Sequence, residues 1–234
     1  MANREEIKRR KSKKKRRDLT PFIIIGVLAV VILVVVILSS PALKPIAEVI
    51  DPTFHNATIT DGLTMGDPNA PIKLVEFADF QCPGCGSYWA NTEPAIIQNY
   101  VETGKVFYTF SPFSFVGSFV RNNPYDESIK AAEAAYCAND QGKFWQYHDY
   151  LFVNQIGENQ GAFSEKRLLA FAENLGLEMD TFTTCLKSAE HYQDVMDANA
   201  FATNSGINQT PSFTIDGVLV EGDLITALEA ALSK

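Results

Sequence analysis

Little in this chain is suited to holding a metal or closing disulfides. Its 234 residues include only four cysteines and three histidines. His55, His148 and His191 fall at no ligand spacing, and Cys137 and Cys185 stand isolated. A structural zinc site wants two cysteine clips, or one clip with spaced histidines, so no metal is expected. No calcium-loop spacing occurs either. The acidic stretch from Glu133 to Asp149, and Asp194 with Asp197, read as solvated helical faces. There is no internal repeat. Basic residues are scarce beyond position 38. The first 38 residues hold ten Lys and Arg against Glu5, Glu6 and Asp18, a net of +7, which leaves −15 for residues 39–234 within the overall −8. An acidic body makes nucleic acid an unexpected partner, because phosphate contacts need basic groups.

Charge is missing altogether from residues 22–38, FIIIGVLAVVILVVVIL. That run reaches the short end of a membrane-spanning helix, about 17–25 residues. A cleaved secretory signal has a shorter apolar stretch, about 7–15 residues, and then an A-x-A-like site. Leu38-Ser39-Ser40 is a poor version of that site, and no cysteine follows that could be lipidated. A core helix, for its part, seldom lacks polar residues on every face. Residues 21–40 are therefore expected to be an uncleaved signal anchor. Positive charge stays in the cytoplasm. The expectation is a single pass through the cytoplasmic membrane, with the basic head 1–20 inside and the rest outside, where disulfides persist.

Residues 41–57 carry Pro41, Pro45 and Pro52 without a clear period and read as a stalk. After a turn cluster at 67–71, residues 72–77 form a predicted strand. A helix should start at the first cysteine pair and run to about Thr103, bent at Pro94. Residues 105–110 read as a second strand. Helical patterns then cover 126–139, 143–154, 164–175 and 180–203, with Ser164 as an N-cap and Gly176 as a stop. Asp216-Gly217 between alternating apolar residues predicts a hairpin over 211–220, and Asp223 caps a last helix. A helical block thus interrupts a small α/β unit. Trp89, Phe144, Trp145, Tyr147 and Tyr150 are expected mostly in the core.

The chemistry centres on Cys82-Pro83-Gly84-Cys85. A strand feeding a helix places Cys82 at the helix N-terminus, where unpaired N–H groups and the dipole favour a thiolate. Pro83 suits the first turn, where its missing N–H is not needed. Cys85 lies one turn on, on the same face, close enough to close a disulfide. An exposed attacking sulfur with a buried resolving one is what thiol exchange requires. A purely structural disulfide is the alternative, although so small a loop gains little chain entropy.

From Gly66 onward the chain resembles the DsbA-like branch of the thioredoxin fold. The carriers are GDPNAPIKLVEFADFQCPGC, AAYCANDQGKFWQYHDYLF and GINQTPSFTIDG. The resemblance implies a thioredoxin-like domain at 58–115 and 206–234 with a helical domain inserted at 116–205. It makes Cys82 the nucleophile and Cys85 the resolving thiol. Thr210-Pro211 matches the family's cis-proline loop, whose backbone would pair with an extended substrate; an ordinary trans proline is the bland alternative. Glu76 matches the buried acid that relays a proton to or from Cys85, unless it is a solvated strand glutamate. Cys137 and Cys185 match positions that form a disulfide in the helical domain of some relatives, and two buried free thiols are the other possibility.

The resemblance implies a thiol–disulfide oxidoreductase without a cofactor, which the expected anchor would tether to the membrane. Its partners would be cysteine-containing exported or unfolded proteins and a membrane redox partner, quinone-linked if the chain is an oxidase and an electron donor if it is a reductase or isomerase. Strongly oxidising members carry histidine where Gly84 stands, and Thr210 is shared with isomerase relatives, which leaves reductase or isomerase action open. A redox-inert module that holds extended segments is the alternative from another class.

Overall fold

The computed structural model describes residues 20–38, 48–55, 57–119 and 126–234, with side chains over 24–35 in the first stretch. The chain divides into two units, Met1–Pro45 and Ile46–Lys234. The first contains helix α1, Thr20–Leu38. Among the described residues no helix is long and apolar enough to cross a membrane. The described side chains of α1, 24–35, span about 18 Å at about 1.5 Å per residue. The basic head up to residue 19 and residues 39–47 lie outside the described residues.

The second unit is built on a six-stranded sheet. Its strands are β1 (Thr60–Asp61), β2 (Thr64–Met65), β3 (Ile72–Ala78), β4 (Val106–Pro112), β5 (Ser212–Ile215) and β6 (Val218–Leu219), in spatial order β1-β2-β4-β3-β5-β6. Only β3 and β4 run parallel, Leu74 facing Tyr108 and Glu76 facing Phe110. Parallel neighbours need a crossover, supplied here by α2 (Pro83–Asn91) and α3 (Glu93–Ile96), the latter continued by a π-helical turn, Ile97–Val101. The expected bend falls at Thr92, with φ −121°. Pro94 lacks the N–H to continue the ladder. The strand at 72–77 extends to Ala78 and that at 105–110 to Pro112. β1 and β2 were not anticipated; two-residue strands leave almost no periodicity to read.

The helical block comprises α4 (Glu127–Asn139), α5 (Phe144–Val153), α6 (Glu165–Asn174), α7 (Met179–Ser188) and α8 (Tyr192–Asn204). The single helix predicted over 180–203 is two. Ala189 takes a left-handed φ of 53° and ends α7. Cys185 near that end is bonded to Cys137 of α4, and His191 just beyond bonds Asp140 and Asp194. These tertiary ties fix the break, and no glycine or proline marks it. Asp216 and Gly217 both have positive φ, the geometry of the tight hairpin turn. Asp223 caps the last helix, α9 (Leu224–Leu232), through the Thr226 N–H at 2.8 Å.

Strand alternation sorts β3 between two cores. Ile72, Leu74 and Ala78 join a main core that also takes in α2, α4, α5, α6 and α7. Val75 and Phe77 face a smaller core with Phe113, Ala202 and Ile207. The sheet and the inserted helices therefore share the main core. The five singled-out aromatics are buried, and Trp89, Trp145, Tyr147 and Tyr150 each place their polar atom on an oxygen acceptor. A further expectation fails. Glu133 and Asp149 are both buried, not solvated. Lys130 pairs with Glu133, and Trp89 and the His55 backbone donate to Asp149. Residues 48–55 run against the body, with the Ile50 N–H on Asn154, the Tyr150 hydroxyl on Asp51 and Arg167 on the Glu48 carbonyl.

Candidate active site

β3 ends at Ala78 and the chain turns through Asp79 into α2, with Cys82 at the N-cap and Pro83 at the first helical position. Asp79 shapes that turn. Its buried carboxylate accepts the N–H groups of Gln81, Phe115 and Val116 and the Ser128 hydroxyl. Burial nevertheless pushes its pKa up to about 6. Gln155 of the helical block donates to the carbonyls of Phe80 (2.6 Å) and Cys82 (3.2 Å). The inserted domain thus holds the turn from behind.

Cys82 and Cys85 are both reduced, Cys82 half-buried and Cys85 fully buried. Opposite them lies the Thr210-Pro211 peptide, which is cis. The Cys82 thiol is 3.4 Å from the Thr210 carbonyl oxygen. Gly84 permits this approach, since a Cβ there would sit 3.2 Å from Pro211 Cδ and 3.6 Å from Cys82 Sγ.

The two sulfurs are electrostatically unlike. The Cys85 thiol donates to Cys82, and the Thr210 side chain and the Cys85 and Gly84 N–H groups add to it. Together they overcome desolvation and lower the Cys82 pKa to about 5. The Thr210 hydroxyl is buried without a hydrogen-bond partner and is poised to turn to a thiolate. Burial first, then the facing Cys82 and Glu76, raise the Cys85 pKa well above the ordinary thiol value. Glu76 is buried on β3 and accepts from the Tyr108 hydroxyl. Desolvation outweighs that bond and, with the nearby Cys82 charge, raises its pKa to about 8. At neutral pH the arrangement holds a Cys82 thiolate, a Cys85 thiol and a protonated Glu76.

Cys82, Cys85, Glu76, Thr210 and Pro211 thus come together. Cys137 and Cys185 do not join them; they are bonded to each other across α4 and α7. Asp79, Tyr108, Gln155 and Ser128 were missed. Tyr108 had a readable signal, because its place in an alternating strand beside β3 sets it on the Glu76 face. Gln155 had none, since 73 residues separate it from Cys82.

The thioredoxin family profile matches residues 58–233. The chain is 28% identical over 173 residues to a probable disulfide bond formation protein D of Bacillus anthracis, covering 73% of this chain and 76% of that one. It is 32% identical over 170 residues to the Na(+)/H(+) antiporter NhaA 1 of Salinispora arenicola, covering 72% of this chain but only 24% of that protein. The fold matches oxidised BdbD from Bacillus subtilis with a TM-score of 0.66 at 21% identity, over 79% of this chain and 100% of that one. The chain belongs to the thioredoxin family, in its DsbA-like thiol–disulfide oxidoreductase branch.

Proposed function

We propose that this protein is tethered to the cytoplasmic membrane and oxidises thiols of exported or unfolded proteins through the Cys82–Cys85 couple. The observation that carries the direction is Cys82 at the N-cap of α2, where the Cys85 thiol, the Thr210 side chain and two backbone N–H groups lower its pKa to about 5. A stabilised thiolate stabilises the reduced enzyme, and so makes its disulfide a better oxidant. At pH 7 a pKa of about 5 lies two units below ambient, on the order of 3 kcal/mol, or about 1.4 kcal/mol once halved for solvent screening at a half-buried sulfur. That shifts the couple towards oxidising by about 30 mV.

In the oxidising direction a substrate thiolate attacks Cys82 of the disulfide, and Cys85 leaves as a thiolate. The protonated Glu76 beside it supplies a proton. A second substrate thiolate then attacks the substrate sulfur of the mixed disulfide and releases Cys82 as a thiolate. The substrate loses two electrons and the enzyme gains them. A quinone-linked membrane partner would take them up. The Thr210-Pro211 backbone beside Cys82 offers pairing to an extended substrate. Tethering is supported by the uncharged run at 22–38 behind the basic block and by the exposed side chains from Ile24 to Val35.

One observation favours a second reading. Gly84 places no side chain over Cys82, so only the Cys85 thiol, Thr210 and backbone groups hold the thiolate. A change in potential of only about 30 mV suits an isomerase or reductase as well. Equilibration of the protein with glutathione buffers, read by thiol trapping, separates the two. A potential near about −120 mV supports the oxidase, and one near about −270 mV replaces it with a reductase. No exchange at all would leave a binding module.

A further inference from the structure

Away from the sulfurs, three chain segments bring side chains able to ligate a metal together in the interior. His55 comes from the segment before β1, Glu93 from the start of α3 and Asp149 from α5. One ligand atom from each lies within 4.8 Å of the other two. Glu93 is 1% exposed, and neither of its carboxylate oxygens has a hydrogen-bond partner. The buried His55 Nδ1 has none either. Asp149 by contrast is firmly oriented. Its Oδ1 accepts the Trp89 indole N–H at 2.8 Å and its Oδ2 accepts the His55 backbone N–H at 2.9 Å. The His55 ring is stacked on Trp89, with centroids 5.1 Å apart.

Two carboxylates and an imidazole nitrogen therefore face one another with no hydrogen bond among them. Leaving the Glu93 oxygens and His55 Nδ1 buried and unpaired is costly, more so when charged. A positive species between them removes that cost. We infer that His55, Glu93 and Asp149 form a binding site for a divalent first-row transition cation, distinct from the dithiol. On binding, Glu93 releases the proton that burial holds on it, and the two carboxylates then match the charge of the ion. One imidazole with two carboxylates suits zinc and its neighbours. Calcium, which takes six to eight oxygens, finds too few. The Trp89 and His55 N–H bonds to Asp149 are the outer contacts that aim a metal-binding carboxylate. Donors about 2.0–2.1 Å from one ion lie nearer together than 4.8 Å, so the groups close in on binding. The unpartnered Glu93 oxygens and His55 Nδ1 break no hydrogen bond in doing so. The ion would clasp the segment before β1 to α3 and α5.

The test uses the tag-free full chain in detergent, stripped with EDTA and with all four cysteines oxidised, so that no thiolate competes. Zn2+ is titrated by calorimetry, with Ca2+ in parallel. The expected result is one equivalent of Zn2+ bound more tightly than Ca2+, with Tm raised by several degrees. Glu93→Gln and His55→Gln should each weaken Zn2+ affinity at least tenfold while the metal-free proteins melt cooperatively. Burial and the nearby Glu76 and Asp149 push the Glu93 pKa well above the usual carboxylate range, so Glu93→Gln replaces one neutral group by another of the same shape and should be no less stable than the parent, and half-buried His55 gives a second variant. The absence of stoichiometric Zn2+ binding, or undiminished binding in either cooperatively folding variant, would overturn the site.

Discussion

The Cys82 sulfur lies 3.4 Å from the carbonyl oxygen of Thr210, a residue 128 positions away. That contact joins the start of α2 to the loop before β5, and it places a reactive sulfur against backbone able to pair with another chain. The Thr210 hydroxyl on the same residue is buried without a partner. The loop therefore offers a carbonyl acceptor to the thiol and a hydroxyl donor to the thiolate.

Cys82 should be alkylated by iodoacetamide with a pH midpoint near 5, where an ordinary thiol titrates near 9. Cys85 should stay unreactive across the same range, because burial and the facing Cys82 hold it protonated. Mass spectrometry of the two cysteines after timed alkylation checks both. A Cys82 midpoint near 9 would remove the stabilised thiolate on which the oxidising direction rests.

Thr210→Val removes the hydroxyl and keeps the shape. A hydrogen bond to a charged group is worth about 1.5–3 kcal/mol, or roughly half that at a half-exposed sulfur. The Cys82 midpoint should rise by about one pH unit. The same alkylation profile measures it, and an unchanged midpoint would show that backbone N–H groups and Cys85 suffice.

Glu76→Gln should stabilise the fold above pH 5. The native pKa of Glu76 is about 8 against an ordinary 4.5. Below pH 4.5 the group is protonated in both states and contributes nothing. Between 4.5 and 8 the unfolded chain ionises while the native one does not, so stability is lost as pH rises. At pH 7 the loss is on the order of 3 kcal/mol as an upper bound. Urea unfolding at pH 4 and pH 7 should show the variant's advantage only at the higher pH. An equal difference at both would place the effect in packing.

Replacing Cys137 and Cys185 together by alanine opens a loop with a sequence separation of 48. Chain entropy puts the cost at about 4 kcal/mol. The denaturation midpoint should fall accordingly while the Cys82–Cys85 potential stays unchanged, since the pair lies outside the dithiol site. A shifted potential would mean that the helical block tunes the dithiol.

Much of this was legible along the chain because it is local. Cys-Pro-Gly-Cys after an apolar strand sets a thiol on a helix N-terminus through cap geometry that needs no distant partner. Asp216-Gly217 fixes its turn by backbone preference alone, and Asp223 caps its own helix. The broken helix at Ala189 was not legible, because the disulfide and His191 that define it act between helices. The burial of Asp149 was hidden too. An acidic residue among aromatics looks like a solvated face until Trp89 and His55 arrive with their N–H groups.

The sequence by itself determined the dithiol, the apolar run behind its basic head and the order of the main elements, since each depends on residues close together in the chain. Only the tertiary structure decided the charge states. Burial of Glu76 within the sheet, its contact with Tyr108, the asymmetry of the two sulfurs and the convergence of His55, Glu93 and Asp149 all depend on what is excluded from water. Desolvation and Coulomb terms act through space, so a separation of 60 positions, as between Trp89 and Asp149, hides them from any reading of the chain alone.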